Sequence, residues 1–149
     1  MSTGWPEPPV AVQRVFPSHQ ARLAMLSLGT TEIRQHGVLF TDGERARSLF
    51  ILLRGEIRLS ATAAHFLSDA NPGDCIGLLS AIKGTYAMRA ENTSIVVLRV
   101  IPRSALLQVF TANDDVRSSI QRYIDAFGER VGEPLELPRI VQSHGVAGR

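Results

Sequence analysis

Between residues 30 and 101 the chain is cut into short apolar segments by turn signals, and this spacing constrains the fold more than any other feature. Segments 30–34 and 38–41 are strand-like, with the turn pair Asp42-Gly43 after them. Ser48 to Leu53 (SLFILL) is a continuous apolar run suited to a buried strand. Arg54-Gly55-Glu56 breaks it, and Ile57-Arg58-Leu59 alternates afterwards. Segments 65–69, 87–90 and 94–101 supply further strands. Short strands at a spacing of roughly 8–12 residues predict a sandwich or barrel.

Helices flank this region. Ser18 is placed to cap one whose apolar side carries Ala21, Leu23, Ala24, Leu26 and Leu28 before Gly29 stops it. Asn113 or Asp114 opens the second, with acidic first-turn residues that suit the helix dipole. Val116, Ile120, Tyr123, Ile124 and Phe127 then fall on one face at three- and four-residue steps, until Gly128 and Gly132-Glu133-Pro134 end the pattern. The predicted order is one helix, about seven or eight strands, and a long amphipathic helix. Met1 to Pro9 (MSTGWPEPP) is rich in proline and glycine. Residues 1–15 are therefore expected to form a flexible arm, 16–132 the folded domain, and 133–149 a flexible tail.

A chain of 149 residues is one domain's worth, and 44% hydrophobic with 20% charged residues is the balance of a soluble globular protein. The apolar runs are far shorter than the roughly 20 residues a membrane span needs, and no basic, then apolar, leader opens the chain. One cysteine, Cys75, excludes an internal disulfide and suits a reducing compartment, so a cytoplasmic location is expected. Net charge is +2, with arginines scattered rather than clustered, which argues against a nucleic-acid footprint. His19, His36, His65 and His144 lack metal-ligand spacing, and no serine–histidine–acid group or paired carboxylate stands out. No metal, no catalytic residue and no enzymatic activity is expected.

Residues 71–90 (NPGDCIGLLSAIKGTYAMRA) hold the candidate site. Pro72-Gly73-Asp74 is a turn, Cys75-Ile76-Gly77 leads into the apolar run Leu78 to Ile82, and Lys83-Gly84-Thr85 ends it. A glycine before a helix N-terminus lets backbone N–H groups approach an anion. A plain glycine turn between a strand and a helical turn fits the same residues. Cys75, within the lead-in, reads as a core residue.

Three segments together resemble the cyclic nucleotide-binding domain family, the sensor part of catabolite-activator-type regulators, over about residues 16–127. Phe50-Ile51-Leu52-Leu53-Arg54-Gly55-Glu56-Ile57 is similar to its aromatic-Ile-Leu-x-x-Gly-x-Val strand pair. Pro72 to Gly77 is similar to its Gly-Asp-x-Phe-Gly lead into the phosphate cassette, and Ala90 to Ser94 with Val96-Val97-Leu98 to the segment after it. The resemblance implies a mainly β fold with flanking helices, a β-barrel or jelly roll with an N-terminal helix and a long C-terminal helix. It places candidate ligand contacts at Gly77, Leu78, Leu79, Ser80, Lys83, Gly84, Thr85 and Arg89.

The same resemblance exposes two departures. Where the family has a glutamate for the ribose hydroxyl, this chain has Leu78. The phosphate-pairing arginine falls at Gly84, beside Lys83, when counted from one side, and near residues 87–89 when counted from the other. Each lost charged hydrogen bond removes roughly 1.5–3 kcal/mol, so the pair weakens binding about a hundredfold or more. A cyclic nucleotide is therefore disfavoured as ligand, and no other cofactor is implied.

The expectation is a sensor or regulatory module without the usual cyclic AMP contacts that signals through its C-terminal helix. Alternatives are a protein-interaction or dimerisation scaffold with a self-filled pocket, and the sensor half of a transcription regulator lacking its DNA-binding domain. Val116, Ile120, Tyr123, Ile124 and Phe127 serve either the chain's own barrel or a homodimer. Possible partners are a small molecule, a second copy or another protein; neither membrane nor nucleic acid is expected. Residues 140–147 resemble the first helix and turn of a helix-turn-helix, with no recognition helix after them.

Overall fold

A computed structural model describes residues 5–132. The elements run β1 (Val10–Ala11), α1 (Val12–Val15), α2 (His19–Ser27), β2 (Thr30–Arg34), β3 (Gly37–Phe40), β4 (Ser48–Arg54), β5 (Ile57–Ala61), β6 (Phe66–Ala70), β7 (Asp74–Ile76), α3 (Leu78–Lys83), β8 (Arg89–Asn92), β9 (Val96–Pro102), α4 (Arg103–Ala112) and α5 (Asp114–Val131). A 3-10 turn, Thr62–Ala64, joins β5 to β6. Two antiparallel sheets result, one ordered β1-β7-β4-β9-β2 and the other β3-β8-β5-β6. The mainly β architecture with flanking helices is the one the sequence implies.

Strand β4 shows how the core divides. Phe50 and Leu52 point between the sheets, while Leu49 and Ile51, one residue out of phase, point to the helices. Both faces of β4 are covered from Leu49 to Leu52, which is why that run lacks the alternation of a half-exposed strand, whereas Leu53 at its end is exposed. The space between the sheets holds Phe40, Phe50, Leu52, Leu59, Ile76, Met88 and Leu98 among others, all buried. Opposite, Phe16, Met25, Ile101, Phe110, Ile120 and Phe127 pack a second core between the five-stranded sheet and the helices. Fully burying a side chain of the size of phenylalanine or leucine stabilises by roughly 1.5–3 kcal/mol, so either core outweighs any single polar contact.

Local chemistry sets the boundaries. The Ser18 Oγ accepts from the Ala21 N–H at 3.2 Å and opens α2. Asn113 Oδ1 accepts from the Val116 N–H at 3.0 Å and opens α5. Gly29 turns from α2 into β2 at φ +75°, where a Cβ would lie 1.9 Å from the Val100 carbonyl oxygen. No other residue fits there.

Three expectations need correction. Residues 5–15, read from sequence as part of an arm, are ordered: β1 pairs with β7 (Val10 opposite Cys75), and the Val12 N–H bonds to the Gly73 carbonyl at 2.8 Å. The strand expected at 87–90 runs Arg89–Asn92, since Ala87 and Met88 are apolar approach residues rather than ladder residues. Helix α4 was not anticipated, although Leu106, Leu107 and Phe110 carry helical spacing and are buried. Residues 133–149, with the segment resembling a helix-turn-helix, lie outside the described residues. Among the described residues no helix is long and apolar enough to cross a membrane.

Candidate functional site

The cassette folds as a strand, a glycine turn and a short helix. Gly77 takes φ +80° and caps α3, and the Ala81 N–H bonds to the Gly77 carbonyl at 2.8 Å. The next two amides are already occupied. The Glu7 carboxylate accepts from the Leu79 N–H at 3.0 Å, the Ser80 N–H at 2.9 Å and the Ser80 hydroxyl at 3.2 Å. The Tyr123 hydroxyl of α5 donates to the same carboxylate at 2.8 Å. Glu7 is only 2% exposed, so the N-terminal segment delivers a carboxylate into the core at the head of α3.

Burial pushes the Glu7 carboxyl above the ordinary value for a glutamate, although all four donors pull it down. The same burial, with the charge of Glu7 next, raises the Tyr123 hydroxyl well above its usual range. Cys75 is lifted too, chiefly by burial, so it is an inert core thiol, as its sequence position suggests.

The other end of α3 is held by a cation. Arg103, at the start of α4, donates from Nε to the Ala81 carbonyl at 2.6 Å and from Nη2 to the Ile82 carbonyl at 3.1 Å. Those carbonyls have no partner further along the helix, and a guanidinium suits the negative end of the dipole. A carboxylate at the head and a guanidinium at the tail thus pin the six-residue helix from two distant parts of the chain.

Inside the barrel, aromatic rings fill the space beside the cassette. The Tyr86 ring stacks on Phe40 with centroids 3.7 Å apart and planes 8° off parallel. Its hydroxyl donates to the Ser48 carbonyl at 2.6 Å, and a Cβ on Gly77 would come within 3.2 Å of the ring. Asn92, buried at the far end of β8, spends its amide on the Gln35 and Ser94 carbonyls.

The structure brings together only some of the residues the sequence singles out. Gly77, Leu79 and Ser80 meet at the head of α3, but the amides of Leu79 and Ser80 face Glu7. Leu78 is buried in the core between sheet and helices, not in the barrel. Lys83 is exposed at the last position of α3, next to Gly84, and Thr85 makes an isolated bridge with Arg45. Arg89 turns outward with the alternation of β8 and pairs with Glu91 at 3.5 Å. Neither cation reaches the barrel interior.

The stripe on α5 is consumed internally: Val116, Ile120, Ile124 and Phe127 are at most 1% exposed in the chain's own core. Tyr123 is half-buried and bonded to Glu7. His19, His36 and His65 are exposed, His144 lies outside the described residues, and among those described no cluster of metal-ligating side chains forms.

Sequence reasoning did not find Glu7, Tyr86 or Arg103. Arg103 carried a signal, because an arginine in a first helical turn opposes the dipole and needs another partner. Glu7 had only its place between two prolines, Pro6 and Pro8.

The family model described as the cyclic nucleotide-binding domain matches residues 30–113. No curated protein sequence matches the chain. Among solved structures, the N-terminal domain of a transcriptional regulator from Streptomyces coelicolor A3(2) is 14% identical with a TM-score of 0.66, covering 83% of this chain and 91% of its own. The catabolite activator protein of Thermus thermophilus is 16% identical with a TM-score of 0.66, over 77% of this chain and 57% of its own. A putative cyclic nucleotide-binding protein from Geobacter metallireducens GS-15 is 21% identical with a TM-score of 0.60, over 73% and 84%. At these identities the likeness is one of fold.

Proposed function

Because the chain belongs to the cyclic nucleotide-binding domain family, we propose that it is a regulatory module whose barrel does not take a cyclic nucleotide through the family's usual contacts, and whose state is read through α5. The observation that carries this reading is the placement of Tyr86. Its ring, stacked on Phe40 and lying over Gly77, takes up barrel space beside the cassette. Three further features support it: Leu78 faces the helical core, Arg89 faces outward, and Lys83 is exposed. A ligand entering the barrel would have to displace the ring, break its bond to Ser48 and find its charge unmatched.

The output reading rests on α5. Tyr123 ties that helix, through Glu7, to the head of α3. With its apolar stripe used inside the chain's own core, α5 presents Gln121, Asp125 and Glu129 on its polar side, a face suited to a partner or a second copy, while Arg117 is tied to the Phe110 and Thr111 carbonyls.

Calorimetric titration with cyclic AMP and cyclic GMP tests the proposal. No heat of binding is expected at micromolar concentration. Micromolar or tighter binding that Lys83→Ala or Arg89→Ala abolishes refutes it.

A further inference from the structure

A cleft of about 400 Å³ opens away from the barrel, between the N-terminal segment and α5. Pro8 and its neighbours form one wall, and Tyr123 and Ala126 belong to the other. Arg14, Arg122 and Arg130 line it, and none of its lining residues is acidic. We propose that this cleft is a binding site for a small molecule bearing a phosphate group. This deepens the regulatory reading and rests on it, because it supplies an input that the filled barrel lacks.

Charge carries the argument first. Among the described residues, Arg14, Arg122 and Arg130 have no carboxylate partner, a state they share with Arg22, Arg45, Arg47, Arg54, Arg99 and Arg103; what sets the three apart is that they line one cleft with no acidic residue in its lining. Arg122 donates to the Ser119 hydroxyl at 3.3 Å, and Arg130 lies over the Phe127 ring at 5.1 Å. Both contacts fold the side chains along α5 and leave guanidinium N–H groups unused. Three guanidiniums without an acid suit a phosphate dianion better than a lone carboxylate, and the guanidinium fork matches phosphate oxygens in pairs.

Geometry agrees. Arg122, Ala126 and Arg130 follow one another at four-residue steps, so they lie along one side of α5. The two arginines are about 12 Å apart along the axis, and because each folds back on a residue three positions earlier, gripping one group between them requires Arg122 to leave Ser119 and swing toward Arg130. Arg14 comes from the turn of helix on the opposite wall. The volume falls in the range of about 300–1,000 Å³ typical of small-molecule sites, which leaves room for a body beyond the phosphate, packed on proline and alanine. Tyr123 both lines the cleft and holds Glu7, so occupancy and the seating of the N-terminal segment are linked.

The test follows backbone amide signals of the full chain by NMR during titration with adenosine 5′-monophosphate, inorganic phosphate and adenosine. The monophosphate is expected to shift Arg14, Ser119 and Tyr123, inorganic phosphate to shift them at higher concentration, and adenosine to leave them still. Arg122→Ala together with Arg130→Ala changes only exposed side chains and is expected to weaken the monophosphate about tenfold or more. Equal shifts from adenosine, unchanged affinity in the double variant, or no shift at millimolar monophosphate overturns the proposal. Shifts confined to Met88 and Ala90 on adding cyclic AMP refute the filled barrel instead, so the two failures are told apart.

Discussion

Replacing Glu7 with alanine tests whether the N-terminal segment is part of the folded domain. The substitution strips four donors of their acceptor: the N–H groups of Leu79 and Ser80, the Ser80 hydroxyl and the Tyr123 hydroxyl. Each donor left dry costs about 1–3 kcal/mol. Against this stand the relief of a buried carboxylate and water entering the space its removal leaves. A net loss of about 2–4 kcal/mol is expected, a large share of the roughly 5–15 kcal/mol of a whole domain. With an m-value of about 2 kcal/mol per molar, the urea midpoint falls by about 1–2 M. A loss below about 0.5 kcal/mol, the size of an ordinary surface change, refutes the buried network.

Burial raises the Glu7 carboxyl above its value of 4.5 in the unfolded chain. A folded-state value above the unfolded one means stability that is full below about 4.5 and declines as pH rises through the folded value. Wild type is therefore expected to lose stability relative to Glu7→Gln as pH rises from the mid-fours, and a flat difference contradicts the assignment. Tyr123 and Cys75, the groups coupled to Glu7, stay neutral across this window because burial raises both.

Three further substitutions probe the cassette. Tyr86→Phe removes the bond to the Ser48 carbonyl and is expected to cost about 1 kcal/mol in thermal unfolding, with the stacking on Phe40 retained. Leu78→Glu, which restores the acid the family resemblance implies, puts a charge into the helical core and is expected to cost about 3 kcal/mol or more. A stable Leu78→Glu protein that gains cyclic nucleotide binding by calorimetry contradicts the placement of Leu78. Arg103→Ala frees the Ala81 and Ile82 carbonyls; a loss of about 1–2 kcal/mol in urea unfolding is expected, with faster amide exchange at the end of α3.

Much of this fold is legible because its signals are local. Thr30–Arg34 matches its sequence reading to the residue, and Ser18 and Asn113 cap the helices their positions suggest. β1 and β7 have two and three residues, too few for any period to show. Helix α4 begins directly after the apolar strand β9, which hides the change of period. At the site the limit is different. Glu7 meets Ser80 across 73 positions of sequence, and no local pattern encodes such a pairing. The letter at position 78 reads as a missing glutamate, but which core the side chain enters depends on the phase of α3 after Gly77. Arg89 was the readable case, because period-two alternation with the buried Ala90 and Asn92 already turns it outward.

The two side chains that pin α3 bear on what this family member has become. A cassette helix that waits for an anion leaves its leading amides free; here a carboxylate from the same chain holds them at 2.9 and 3.0 Å. An acceptor supplied by the chain needs no association step, so it outcompetes a weak external anion unless the N-terminal segment leaves. The carboxylate is shared with Tyr123, and the trailing carbonyls of α3 are bound by Arg103 of α4, which packs on α5. The cassette helix is thus joined to the C-terminal helix by polar contacts at its head, and at its tail through a polar contact to α4, which packs on α5. Unseating Glu7 frees one of those joints while leaving both hydrophobic cores in place. In the regulatory reading proposed above, the N-terminal segment is the part that would act on α5, and the arginine-lined cleft lies along that same seam.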